Sequence, residues 1–171
     1  MLDGFVFDKR PITSEDWAHY NWVFSGKRDG ITSGCGMTVS GNSVYVADGY
    51  FLIRGRMGVV KGTTTVTAPT VSSGQLYATL VARIDLSQTN TEETLNQLVF
   101  DIKTDQTAYP AAVQEDLDNG GSVYEVTFAR FMLSVNGISN FEQVIQERVV
   151  DWISQSQISY NAGTNSLYFN L

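Results

Sequence analysis

The chain has 171 residues, 43% of them hydrophobic, 12% aromatic and 17% charged, with a formal net charge of −7. That length fits one domain, or one domain with a small appendage, and a domain of this size buries roughly 70% of its unfolded surface without help from disulfides. A nucleic-acid surface would cluster Lys and Arg, whereas here the basic residues are scattered on an acidic chain, so no nucleic-acid binding is expected.

The nearest basic group, Arg54, Arg56 and Lys61, reads as a solvated strand face. Cys35 stands alone, which excludes an intrachain disulfide framework and a thiolate metal cluster. No basic-then-apolar leader opens the sequence, so no secretory signal is expected. No apolar run approaches about 18 residues, so no membrane insertion is expected either. Few charges beside many Thr, Ser, Asn and Gly suit a β-rich protein that assembles.

Residues 1–12 form an extended lead-in that ends at Pro11-Ile12. A helix is predicted over 13–24, with Thr13 as its N-cap and Asp16 at the third helical position to complete a capping box. Ile12 and Trp17 hold the two positions of a hydrophobic staple, and Glu15 and Asp16 suit the positive end of the helix dipole. Trp17, Tyr20 and Phe24 recur at helical spacing as one apolar stripe. Such a stripe either packs on the sheet or docks a neighbouring subunit.

A turn-rich link over 26–34 leads to GMTVSGNSVYVADGYFLIRGRM, residues 36–57. Met37 and Val39 alternate with polar residues, as do Val44 and Val46, with turns at Gly41-Asn42 and Asp48-Gly49. Beyond the second turn, Phe51, Ile53 and Met57 share one face, with Tyr50, Leu52, Arg54 and Arg56 on the other. A β-branched strand follows over 63–67 and a loop over 68–74.

The strand over 76–86 is the clearest. Leu76, Ala78, Leu80, Ala82, Ile84 and Leu86 make an apolar face opposite Tyr77, Thr79, Val81, Arg83 and Asp85. Residues 95–103 pair back with Leu98, Phe100 and Ile102 inward. An irregular excursion over 109–121 holds one helical turn after Pro110. In the strand over 123–135 the inward set is Tyr124, Val126 and Phe128, then Phe131, Leu133 and Val135. That change of parity requires a bulge near Ala129-Arg130. Gly137 closes the strand, residues 140–153 suit either helix or strand, and a final hairpin over 158–171 turns at 162–165. The expected fold is mainly β. It is an antiparallel β-sandwich-like domain over 1–150 with one short N-terminal helix, followed by a C-terminal extension over 151–171 that forms a β-hairpin.

The order of these parts resembles the module near the N-terminus of tail-fibre and upper-baseplate proteins of tailed bacteriophages and prophages. In that family a strand of form "aGxaxIxGr" precedes one reading "R(I/V)DL"; a strand opening with Tyr-Glu and an isoleucine-led segment ending in Arg come later. Residues 48–56, Arg83-Ile84-Asp85-Leu86, Tyr124-Glu125 and 145–148 match these in order. The resemblance implies a virion structural protein of the tail tip, baseplate or fibre attachment, made in the host bacterial cytoplasm. It implies assembly as a homotrimer and docking to other tail proteins. Only the residues after 150 follow the module, too few for a receptor-binding head, which favours a linking or plugging role.

Chemistry-bearing residues give little else. His19, the single histidine, reads as a surface or capping residue on the helix, and Cys35 as a small semi-buried turn residue. Asp116 and Asp118 in DLDNGG fill two calcium-loop positions, but Gly120 and Thr127 occupy two others, so an acidic solvated turn is expected. Asp85 is expected to pair with Arg83 or a neighbouring strand. No nucleophile, base or metal set emerges, so no enzyme activity and no cofactor are expected. The residues expected at subunit or partner contacts are Trp17, Tyr20, Trp22 and Phe24 on the helix, with Trp152, Tyr168, Phe169 and Leu171 near the C-terminus. An alternative reading, a module binding host-surface glycan, would use exposed tyrosines such as Tyr45, Tyr50 and Tyr77.

Overall fold

A computed structural model of the chain describes residues 11–147, 158–161 and 166–169. Helix α1 (Ser14–Phe24) starts where Thr13 takes extended backbone. The Thr13 hydroxyl accepts from the Asp16 N–H at 3.1 Å and the Asp16 carboxylate accepts from the Thr13 N–H at 2.9 Å. Two amide donors that the helix cannot satisfy are thereby paired, and the capping box stands as expected.

Strands β1 (Gly30–Gly34) and β2 (Met37–Ser40) run out to the Gly41-Asn42 turn, and β3 (Ser43–Val46) and β4 (Gly49–Ile53) run back. β1 lies where a turn-rich link is expected from the sequence. β2 pairs with β3 and β1 with β4, so the four strands are one two-stranded ribbon bent in the middle. Its halves belong to different three-stranded sheets, β2-β3-β6 and β1-β4-β5.

At the bend the Cys35 N–H donates to the Asp48 carbonyl at 3.0 Å and the Ala47 N–H to the Gly36 carbonyl at 2.9 Å. Gly34 faces Gly49 there. A Cβ on Gly34 would strike the Asp48 carbonyl, and one on Gly49 would strike the Cys35 backbone. Asp48-Gly49, expected as a hairpin turn, is therefore a corner between sheets. Close approach of two backbones explains the glycines there.

The real turn comes later. Arg54 and Gly55 take φ of 45° and 74°, which closes a two-residue hairpin to β5 (Arg56–Val60). Positive φ at both central positions is the I′ pattern, whose strands twist compatibly. The residue pattern alone suggests one strand through this point, because Arg-Gly lacks the usual Asn or Asp. Phe51 and Ile53 are buried, but Met57, which the alternation puts on their face, falls beyond the turn and is 55% exposed. β6 (Thr64–Thr67) then returns to pair with β3.

The second layer is a four-stranded sheet of β7 (Gln75–Asp85), β8 (Leu98–Asp105), β9 (Val123–Ser134) and β10 (Gly137–Gln143), in the order β10-β9-β7-β8. Ala78, Leu80, Ala82 and Ile84 are buried, as the alternation of β7 requires. The bulge is present one residue early. Leu80 faces Ala129 and Val81 faces Thr127, which leaves Phe128 as the extra residue.

Phe128 and Ala129 are both buried, so the parity of β9 switches between them. The Phe128 carbonyl accepts from the Val144 N–H at 2.8 Å and the Ile145 N–H at 3.1 Å. That folds the chain after β10 back towards β1, where the Ile31 N–H donates to the Gln146 carbonyl at 3.1 Å. Val135, expected inward, sits in the turn before β10 and is 60% exposed.

Between the layers lies the core. Phe51 on β4 meets Phe100 on β8 and Phe128 on β9 with ring centroids 5.6 and 5.1 Å apart. Phe100 and Phe128 close the triangle at 5.1 Å. Burying each such ring contributes roughly 1.5–3 kcal/mol, and edge contacts add about 0.5–1.5 kcal/mol per pair.

The excursion holds its short helix at Leu117–Asn119, not after Pro110. Residues 140–143 are strand, and 148–153 lie outside the described residues. Strands β11 (Ile158–Asn161) and β12 (Ser166–Phe169) pair antiparallel, Ile158 with Phe169 and Tyr160 with Leu167, as the predicted C-terminal hairpin requires. The predicted turn at 162–165 lies outside the described residues.

Candidate functional site

Helix α1 is seated on the β4–β5 turn by its small and polar side. The Ala18 carbonyl lies so close to Gly55 that a Cβ there would overlap it. Asn21 Nδ2 donates to the Gly55 carbonyl at 3.2 Å. Trp22 lies under the Arg54 guanidinium, 4.9 Å from ring to cation. Seating this side turns the aromatic stripe outward. Trp17 is 54% exposed, Tyr20 40% and Phe24 46%, so the stripe does not pack on the sheet. The three rings stack along the helix, Trp17 edge-on to Tyr20 at 5.9 Å and Tyr20 against Phe24 at 4.4 Å. Ile12 and Val23 extend the apolar rim, and β5, against which α1 lies, exposes Met57 and Val59.

Of the eight predicted contact residues, Trp17, Tyr20 and Phe24 thus share the outward rim, while Trp22 points to Arg54. Tyr168 and Phe169 hold positions on β12, and Trp152 and Leu171 lie outside the described residues.

Arg54 fastens the rim to the body. The sequence pattern puts it on a solvated strand face, yet it is half-buried and touches four segments. Its guanidinium pairs with Asp118 at 2.9 Å and reaches Asp116 at 3.7 Å. The cation lies over the Tyr124 ring at 5.6 Å as well as over Trp22. Its N–H donates to Asp29 Oδ1 at 2.8 Å, and the Tyr124 hydroxyl donates to Asp29 Oδ2 at 3.1 Å. Burial, reinforced by the Asp29 charge and hydrogen bond, pushes the Tyr124 phenol up to about 12.

Asp116 caps the short helix, accepting from the Asp118 N–H at 3.1 Å and Asn119 Nδ2 at 2.6 Å. The DLDNGG acids therefore latch the excursion to Arg54. Among the described residues no cluster of three or more His, Cys, Asp or Glu is placed to hold a metal.

The outer face of the four-stranded sheet centres on Glu125, which is fully buried. Its Oε1 accepts from Arg83 Nη2 at 2.7 Å and Nε at 2.8 Å. Its Oε2 accepts from Lys103 Nζ and from the Val113 N–H, each at 2.8 Å. Burial pushes this carboxyl up, but the Lys103, Val113 and Arg83 donors outweigh it and hold the group below its ordinary range. Lys103 also donates to the Ala111 carbonyl at 2.8 Å, so the same cluster pins the excursion over the sheet.

Arg83, expected beside Asp85, goes to Glu125 and to Asp101 at 3.2 Å. Asp85 instead accepts from the Ser87 N–H at 3.0 Å and Gln88 Nε2 at 3.0 Å, which caps the turn after β7. Arg83, Lys103 and Glu125 come from three strands: register sets Arg83 opposite Glu125, and Lys103 reaches the same carboxylate from its place opposite Thr79.

Cys35 is fully buried, more so than expected, and burial followed by the Asp48 charge pushes its thiol up, away from thiolate chemistry. His19 is exposed on α1. No helix among the described residues is long and apolar enough to cross a membrane. Compared with models of known families and with characterised proteins, the sequence matches none.

Proposed function

We propose that this chain is a structural component of a tailed-phage or prophage tail, at the tip, baseplate or fibre attachment. It joins copies of itself, as a homotrimer, and other tail proteins through the surfaces it buries, and it transforms no molecule. The observation that carries this reading is the outward rim of α1. A well-capped helix, clamped to the body through Ala18, Asn21 and Trp22, presents Trp17 and Val23 at 54% and 51% exposure. Large aromatics held on a rigid element form the kind of apolar surface that marks a partner site.

Light scattering and sedimentation on the full chain at micromolar concentration test it. A concentration-dependent multimer that dissociates in Trp17→Ser and Val23→Ser variants is expected. A strict monomer that gains no partner among co-expressed tail proteins sinks the proposal. The glycan-binding alternative has thinner support. Tyr77 packs edge-on against Tyr109 at 5.1 Å and Tyr45 is half-buried, which leaves Tyr50 as the exposed ring of the three.

A further inference from the structure

Strands β5, β6 and β8 each end a sheet, and all three border one open groove of about 310 Å³. Successive residues of each strand line it, such as Val59 with Val60 and Val99 with Phe100. Neighbouring residues of a strand point to opposite faces, so the groove is walled by strand edges as well as by side chains. Phe51 and Phe100 lie among its lining residues, and no charged residue lines it. Open strand edges around an apolar trough are a template for an added strand.

The chain carries a segment of matching character. Strands β11 and β12 pair only with each other among the described residues. An isolated two-stranded hairpin is marginal in water and needs a third strand or a packing face. The register places Ile158, Tyr160, Leu167 and Phe169 at one set of alternating cross-strand positions, and Ser159, Asn161, Ser166 and Tyr168 at the other. Residues 152–171 contain no Asp, Glu, Lys or Arg, although the whole chain carries −7. Two copies of an acidic protein can therefore meet here without like charges opposing.

We propose that the β11–β12 hairpin of one copy docks in the β5–β6–β8 groove of a second copy, through the positions of Ile158, Tyr160, Leu167 and Phe169. The contact is head-to-tail, which generates a closed ring when the rotation between copies closes. This inference rests on the self-assembly reading above and names its contact.

Disulfide trapping in the full-length chain tests it. Val99→Cys lies on the groove wall, where the native residue is 43% exposed; Leu167→Cys lies in the hairpin's docking set of positions, and the native Cys35 is buried. Mixing the two under mild oxidation is expected to give about tenfold more linked dimer than either variant alone, because docked thiols react at millimolar effective concentration. Peptide mapping should find the link joining positions 99 and 167. A Val66→Lys change in the groove partner should return the yield to that of the single variants.

A multimer by light scattering with no mixed disulfide sinks the hairpin contact and leaves self-assembly standing. A monomeric parent protein sinks both. A link formed within one copy of the doubly substituted chain, at a dilution where copies do not meet, overturns docking between copies.

Discussion

On its inner face the four-stranded sheet meets β4 through the rings of Phe51, Phe100 and Phe128. On its outer face the same strands gather Arg83, Lys103 and Glu125 beneath residues 106–116. Water is excluded from the middle of both faces, since Val81 and Thr79 on the outer side are as buried as Leu80 on the inner one. The inner face draws its stability from apolar area and tolerates shape change at a cost that grows with the void. The outer face rests on the satisfaction of one buried charge, where the loss of a single donor matters more than the area lost. An apolar face glues whatever lies on it; an ionic face selects which segment lies there.

Breaking each face separately sharpens that contrast. Phe128→Ala removes the ring shared by both other phenylalanines and by the bulge, and should cost about 4 kcal/mol. Urea unfolding would register it as a lowered midpoint; a change under about 1 kcal/mol would mean that the triangle is not the core's centre.

Glu125→Gln should cost about 3 kcal/mol, because Arg83 and Lys103 are left without their carboxylate. It should also loosen residues 106–116 selectively, seen as faster amide exchange at Val113. The pH dependence carries a sign. Because the Glu125 carboxyl is held below its ordinary range in the fold, its stabilisation is fully present above about pH 4.3 and disappears as the pH falls through the folded value. The Gln variant should lack that acid limb, and an unchanged acid profile would assign it to other carboxylates.

Gly55→Ala comes next. With φ of 74° and the Ala18 carbonyl overhead, an added methyl is strained and also lifts α1. About 2 kcal/mol is expected, with proteolysis entering at the helix before the sheets. Cleavage elsewhere first would place the weak point outside the helix seat.

How much of this was legible beforehand follows from the range of each interaction. The capping box of α1, the alternation of β7 and the parity switch of β9 are local patterns, and all three stand in the structure. Sheet membership is not local. The ribbon that turns at Gly41-Asn42 bends at Gly34 and Gly49, and a glycine that permits a turn looks the same in sequence as one that permits two backbones to touch.

The helix face failed for a similar reason. Trp17, Tyr20 and Phe24 make the stronger stripe, yet Ala18 and Asn21 make the closer seat on Gly55. Small residues approach a backbone that large ones cannot. The partners of Glu125 come from strands far apart in the chain, and only register could have matched them. The tail hairpin is readable as a pair of strands; its apolar residues fall into one cross-strand set of positions only once register sets Ile158 opposite Phe169.

The smallest effect tests the outer face from inside. Thr79 is fully buried on β7, opposite Lys103 on β8 and Arg130 on β9, and its hydroxyl has no hydrogen-bond partner among the described residues. A buried hydroxyl left unpaired loses its hydration without recompense, whereas valine keeps nearly the same shape with a methyl in its place. Thr79→Val should therefore stabilise the fold by about 1 kcal/mol, as a raised urea midpoint with an unchanged slope. Glu125→Gln and Thr79→Val then move stability in opposite directions from sites on one face, one by removing a satisfied charge and the other by removing an unsatisfied dipole. Should Thr79→Val destabilise, the hydroxyl has a partner in solution, and the outer face is a wider polar network than the cluster around Glu125.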